Sequence, residues 1–246
     1  MINHLRRIAK TRKQDRFEGI TSTLKEIGVD YYIEKIDHPS ALGNIIVEFN
    51  KGNDKKTVIC AHYDNINNTP GANDNASGCS ILLKLIEKFK ETKQHLEFVF
   101  FDLEELGMVG SRNYLINNTD NINLVFNFDM CGLGENTLYT INNMSNNPFK
   151  DIFDKRKCIK MDKLPPGDDL TFINNNIPTI DIINSTNKDI SWFKQFGKGV
   201  MPPYFPDFCK TMHSDYDTID TLNILQMYKI FLLMIDIINK GEEDGK

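Results

Sequence analysis

Histidines and carboxylates recur in this chain where apolar runs stop. His62 and Asp64 follow the apolar run in "TVICAHYD", Asp74 lies in "PGANDNASG", and Glu104 and Glu105 close "LEFVFFDLEE". Asp129 follows "INLVFNF", and His213, Asp215 and Asp217 lie together in "MHSDYDT". Imidazole nitrogens and carboxylate oxygens suit zinc, and also cobalt or manganese; they do not suit copper(I) or iron–sulfur chemistry. His62, Asp74, Glu105, Asp129 and His213 are more groups than one tetrahedral ion takes. They fit two ions about 3.5 Å apart that share a carboxylate. Each signal is weak alone: a His-x-Asp at a strand end is commonly structural, Asp74 suits a helix cap, and Asp129 suits a turn before Gly132. Their joint occurrence carries the weight. The paired glutamates fit the same chemistry. Neighbours in an extended segment point to opposite sides, so one would hold metal while the other takes a proton from water at the metal.

The elements that must position these residues alternate. Residues 44–49, 57–63, 96–102, 122–128, 137–142 and 178–183 read as strands, with a "KGND" turn between the first two. Residues 77–90 read as a helix with Leu82, Leu83, Ile86 and Phe89 at helical spacing, and 109–118 as another. Residues 2–28 read as one long amphipathic helix. A last helix spans Thr221 to Lys240 with Leu222, Leu225, Tyr228, Leu232 and Ile235 on one face, followed by a frayed polar tail at 241–246. Strands apolar on both faces and alternating with helices imply a largely parallel sheet covered on both sides. In such folds the site lies at the carboxyl ends of the strands.

Composition narrows the class. The 246 residues are 40% hydrophobic and 26% charged, which is ordinary for a globular chain and ample for a core. Net charge is 29 − 34 = −5, which argues against a nucleic-acid partner. The one basic stretch, Arg6, Arg7, Lys10, Arg12, Lys13 and Arg16, reads as a solvated helix face. No signal peptide or membrane-spanning run is visible, and the five scattered cysteines (Cys60, Cys79, Cys131, Cys158 and Cys209) read as reduced thiols, so a cytoplasmic protein with no membrane partner is expected. Triplets such as Asn67-Asn68-Thr69 then carry no glycosylation meaning.

Taken in order, "AHYD", "PGANDNASG", "FVFFDLEELGMVGS", "NFDMCG", "PPGDDLTFINNNIPTI" and "MHSDYDT" resemble the two-zinc aminopeptidases that include bacterial leucyl aminopeptidases. Glutaminyl cyclases and the transferrin receptor ectodomain share that scaffold. The resemblance runs from about residue 44 to the C-terminus. It implies one three-layer α/β/α domain over 1–246, with a mixed, mostly parallel sheet of about eight strands. It implies that His62 and Asp129 bind one zinc, that Glu105 and His213 bind the other, and that Asp74 bridges them. It further implies that Asp64 supports His62, that Glu104 is the general base, and that the Asp74–Asn75 peptide is cis. The expected activity is removal of N-terminal residues from peptides with a free N-terminus. The alternatives are a cyclase-like enzyme with one zinc held by Asp74, Glu105 and His213, and a non-enzymatic binding module.

Two departures are visible. Asp169 in "GDDLTF" stands where the family commonly has His, and "MHSDYDT" lacks the family's proline. Residues 185–212 read as an irregular aromatic insertion interrupted by Pro202, Pro203 and Pro206. Its Trp192, Phe196, Tyr204, Phe205 and Phe208, with Asp169, are candidates for a substrate pocket wall, or else a small satellite core.

Overall fold

The computed structural model describes every residue other than 53, 54, 67, 245 and 246. The end of the "KGND" turn, Asn67 of the triplet and the last two tail residues therefore lie outside the described residues.

The strands are β1 (Tyr32–Glu34), β2 (Asn44–Phe49), β3 (Lys56–His62), β4 (Leu96–Phe101), β5 (Ile122–Phe128), β6 (Asn136–Tyr139), β7 (Ile159–Lys160) and β8 (Thr179–Ser185). They form one eight-stranded sheet in the order β1-β2-β4-β3-β5-β8-β6-β7. The central β4, β3, β5 and β8 run parallel, while β1, β2 and β6 pair antiparallel with the neighbours that join them to this centre. The sheet is thus mixed, as expected.

Side-chain alternation along the strands separates two cores. Ile45, Val47, Ile59, Ala61, Phe98, Phe100, Phe126 and Phe128 face one side. There they meet α1 (Ile2–Ile8), α2 (Lys13–Ile27), α3 (Ser77–Phe89) and α9 (Ile224–Asp244). Ile46, Val58, Cys60, Val99, Phe101 and Val125 face the other, under α4 (Val109–Ile116) and α6 (Asp169–Asn174). Hence the strands read as continuous apolar runs: both faces are dry. After β3 the chain crosses to β4 on one side and then to β5 on the other, so the carboxyl ends of β3, β4 and β5 open onto a topological switch point.

Four sequence readings need correction. The helix expected over 2–28 is two helices, broken at residues 9–12. Arg16 is fully buried, not on a solvated face. The stretch 185–212 is not irregular throughout: α7 (Ile190–Gly197) and α8 (Asp207–Thr211) lie within it. The last helix turns a different face inward: Met227, Ile230, Phe231, Met234, Ile237 and Ile238 are buried, whereas Leu225 is 67% exposed and Tyr228 45%. Its N-terminus is capped by Asn223, whose Oδ1 accepts from the Gln226 N–H at 3.1 Å. Among the described residues no helix is long and apolar enough to cross a membrane.

Candidate metal centre

β3 ends at His62, and the next two residues have distinct tasks. Tyr63 turns into the core, and its hydroxyl donates to the Gly43 carbonyl at 2.9 Å. Asp64 accepts from the Glu104 N–H through Oδ1 at 3.0 Å and from the Glu105 N–H through Oδ2 at 3.2 Å. Its Oδ1 also lies 3.5 Å from His62 Nδ1, which leaves Nε2 to face the centre. One carboxylate thereby ties the exit of β3 to the exit of β4.

Leu103, after β4, takes φ 61°, and the Glu104 carbonyl accepts from Gly107 and Met108, both at 2.7 Å. This turn breaks the extended geometry in which adjacent side chains diverge, so Glu104 and Glu105 both reach the same region. Asp74 sits in a kinked turn at residues 72–76 that leads into α3; its own backbone is not helical (φ −110°, ψ 90°), and its peptide to Asn75 is cis. Asp217 holds that turn: its Oδ1 accepts from the Asn73 N–H at 2.7 Å and its Oδ2 from the Asp74 N–H at 3.0 Å.

The expected groups meet. His62 Nε2 lies 3.1 Å from Asp74 Oδ1 and 3.5 Å from Asp129 Oδ1. His213 Nε2 lies 3.2 Å from Asp74 Oδ2 and 3.0 Å from Glu105 Oε2. Donor atoms of His62, Asp74 and Glu105 all fall within 4.8 Å of one another. Glu105 Oε1 and Asp129 Oδ1 are buried without a hydrogen-bond partner. Oxygens of this kind are costly unless a cation takes them, so the donor set fits a divalent metal. Asp215 joins none of these contacts.

Glu104 stands on the Asp129 side. A Cβ placed on Gly167 would lie 3.1 Å from Asp129 Oδ2, 3.7 Å from Glu104 Oε1 and 3.8 Å from Asp169 Oδ1. A glycine at 167 leaves these three carboxylates their space. Asp169 is buried and accepts from the Gly167 N–H at 2.8 Å, which places one more acid beside the site.

The electrostatics follow from this crowding. Burial pushes Glu104 up to about 9, with Asp168, Asp129 and Glu105 adding to it against the opposing pull of His62. Burial also raises Glu105. It lifts Asp168 and Asp169 to about 7 each. Burial would depress His62, but Asp129, Asp64 and Asp74 outweigh it and hold it well above the usual range. Asp74 and Glu105 raise His213 to about 10. Burial opposes ionisation of Asp74, yet the two histidines hold its carboxyl well below the ordinary value.

The aromatic candidates behave differently. Trp192 and Phe208 are buried at 5.6 Å from one another, and Phe196 stacks on Trp192 at 5.1 Å. Tyr204 hydrogen-bonds Ser191, and Phe205 is 82% exposed. Most of this aromatic surface therefore fills a satellite core. That core includes Met130 and packs against Met212, the neighbours of Asp129 and His213, so it abuts the centre. Sequence reasoning assigned no role to Asp168 or Asp217 at the centre. Asp168 is buried with both oxygens unpartnered, and its place beside the flagged Asp169 was the available signal. For Asp217 the signal was its place downstream of His213.

Known proteins resemble this chain in sequence and in fold. A family profile described as Peptidase family M28 matches residues 44–238. An aminopeptidase of Bacillus subtilis is 36% identical over 80 residues, covering 30% of this chain and 18% of the relative. A probable lipoprotein aminopeptidase of Mycobacterium tuberculosis is 34% identical over 95 residues, 35% of this chain and 19% of the relative. The matched stretch is thus less than a fifth of either relative's length. Among solved structures, the LapA aminopeptidase of Legionella pneumophila superposes with a TM-score of 0.73 at 18% identity, over 94% of this chain and 68% of that one. A zinc aminopeptidase of Bacillus subtilis gives 0.64 at 21% identity, over 80% and 49%. A glutaminyl cyclase of Tannerella forsythia gives 0.70 at 16% identity, over 96% of each chain.

Proposed function

The chain belongs to peptidase family M28, and we propose that it is an aminopeptidase that works with two zinc ions. One observation carries the reading. The two oxygens of Asp74 face two different histidines, Oδ1 toward His62 at 3.1 Å and Oδ2 toward His213 at 3.2 Å. A carboxylate so placed would hold two ions at once. His62 and Asp129 would hold one, Glu105 and His213 the other. Zinc, when bound, supplies Lewis-acid polarisation of water and of the scissile carbonyl.

The chain's residues do the rest. Asp64 orients the His62 ring and fixes the backbone of both glutamates. Glu104 takes the proton of the attacking water on its carboxylate and returns it to the leaving amine. A base must be ionised to do this. Burial opposes that at Glu104, and the positive charge of the ions favours it. The acid-rich wall formed by Asp129, Asp168 and Asp169 suits a substrate that arrives with an ammonium group, as a free N-terminus does.

A panel of aminoacyl-anilides run beside a metal count tests this reading. We expect two zinc ions per chain, anilide release, and none from N-acetylated substrates. A second reading, a glutaminyl cyclase with one zinc, draws on the mutual 96% coverage with the Tannerella forsythia enzyme. One zinc per chain, and cyclisation of N-terminal glutamine without anilide release, would decide for it.

A further inference from the structure

The N-terminal helices lie outside the stretch that matches the family, which begins at residue 44, yet α2 reaches the segments that carry the metal ligands. Arg16 is the contact. It is fully buried, and its hydrogen bonds go to main-chain carbonyls, not to carboxylates. Nε donates to the Tyr63 carbonyl at 2.5 Å, between His62 and Asp64. Nη1 donates to the carbonyls of Pro70 at 2.9 Å and Gly71 at 3.2 Å, at the start of the turn that bears Asp74. Gly71 is shaped to this contact: its φ is +53°, and a Cβ there would lie 2.7 Å from Nη1 and 2.4 Å from the Asp74 carbonyl oxygen. From the same helix Lys13 reaches Asp102 Oδ1 at 2.8 Å, one residue before the turn that leads to Glu104.

A guanidinium without a carboxylate in its hydrogen bonds, and with Nη2 left unpartnered, is an expensive thing to bury. Its planar fork suits the task of fixing two backbone segments at one separation, which a lysine cannot do. We propose that Arg16 is a positioning residue of the metal centre, holding the His62 segment and the Asp74 turn at the spacing that the ions require. The proposal rests on the two-zinc reading above.

Geometry and charge predict opposite signs. The cation acts through space on Asp74, Asp64 and Asp217, which line or support the centre. As a charge alone it would repel zinc, and its removal would tighten binding. As a positioning group its removal loosens binding. Zinc affinity is therefore measured by chelator competition on the wild type, Arg16→Met and Arg16→Lys, with near-ultraviolet circular dichroism reporting the fold of each metal-free protein. Arg16→Lys keeps the charge and loses the fork. Both variants are expected to fold natively and to bind zinc roughly 10–100-fold more weakly, as for other groups that orient ligands. Unchanged affinity in a folded variant, or tighter binding in Arg16→Met, overturns the proposal. Failure of both variants to fold also overturns it, because the guanidinium then serves the fold and not the ligands. A wild type that binds no zinc removes the two-zinc reading itself, an outcome separate from any effect of the variants.

Discussion

Glu104 and Glu105 are sequence neighbours with different surroundings. Glu105 Oε2 meets His213 at 3.0 Å, while Glu104 makes no ion pair with either histidine and lies on the Asp129 side of the centre. A proton acceptor needs that freedom; a ligand does not. Glu104→Gln should keep zinc content at the wild-type level and lower kcat by about 10²–10⁴-fold, the range for loss of a general base. Near-normal kcat with a full zinc complement would remove Glu104 from the reaction. Asp64 is the more demanding residue, because its two oxygens accept from two backbone N–H groups in different directions. In Asp64→Asn one oxygen becomes an NH₂ and meets an N–H, so one acceptor is lost and a donor faces a donor. Zinc affinity should fall roughly 10–100-fold, as read by chelator competition. Wild-type affinity in that variant would show that Asp64 holds neither ring nor turn.

At the scale of elements, α9 shows where the sequence is ambiguous. Positions 230–235 are all apolar, so a helical period does not select one stripe, and the face chosen through Leu225 and Tyr228 is the exposed one. Met234→Ala should cost about 2–5 kcal/mol. Leu225→Ala should cost under about 0.5 kcal/mol. Urea unfolding of the two variants checks the buried face directly, and equal costs would contradict it. The strands were legible for a complementary reason. With both faces buried, β2 and β5 are apolar runs whose ends match the sequence reading, and the polar residues at the carboxyl ends of the parallel β3, β4 and β5 mark the mouth of the sheet. The metal centre was readable because His62, Glu104, Glu105 and Asp129 sit at those ends. What supports the centre was not. Arg16 looks like one more basic residue in a basic stretch, and its partners are backbone carbonyls, which have no side-chain signature. The break between α1 and α2, which lets Arg16 face inward, falls in a segment without proline or glycine.

For the whole molecule, the charge gathered at one end of the sheet sets how stability depends on pH. In the protein freed of metal, burial raises Glu104 to about 9 and Asp168 and Asp169 to about 7, all above their unfolded values. His213, at about 10, and His62 are raised as well, by their carboxylate partners. Each shift has one sign: between the unfolded and folded values the native state binds more protons than the unfolded chain. Stability therefore falls as pH rises. This reverses the usual behaviour of native carboxylates, whose lowered values confer stability as pH rises. Half-buried His4 opposes the trend at lower pH. Burial lowers it to about 4, so its contribution is full above about 6.5 and fades as pH falls from there. The window free of that opposition is pH 6.5 to 9. Chelator-treated protein should lose melting temperature steadily across it. The zinc-loaded protein should melt higher throughout, by the amount that binding to the native state alone confers. Its slope should be flatter, because cations hold the carboxylates ionised and the imidazoles neutral. Thermal melts at pH 6.5, 7.5 and 8.5, with and without zinc, separate the cases. A metal-free protein that gains stability with pH would mean that these acids are not crowded against one another, and the reading of this end of the sheet as a cation site would lose its electrostatic support.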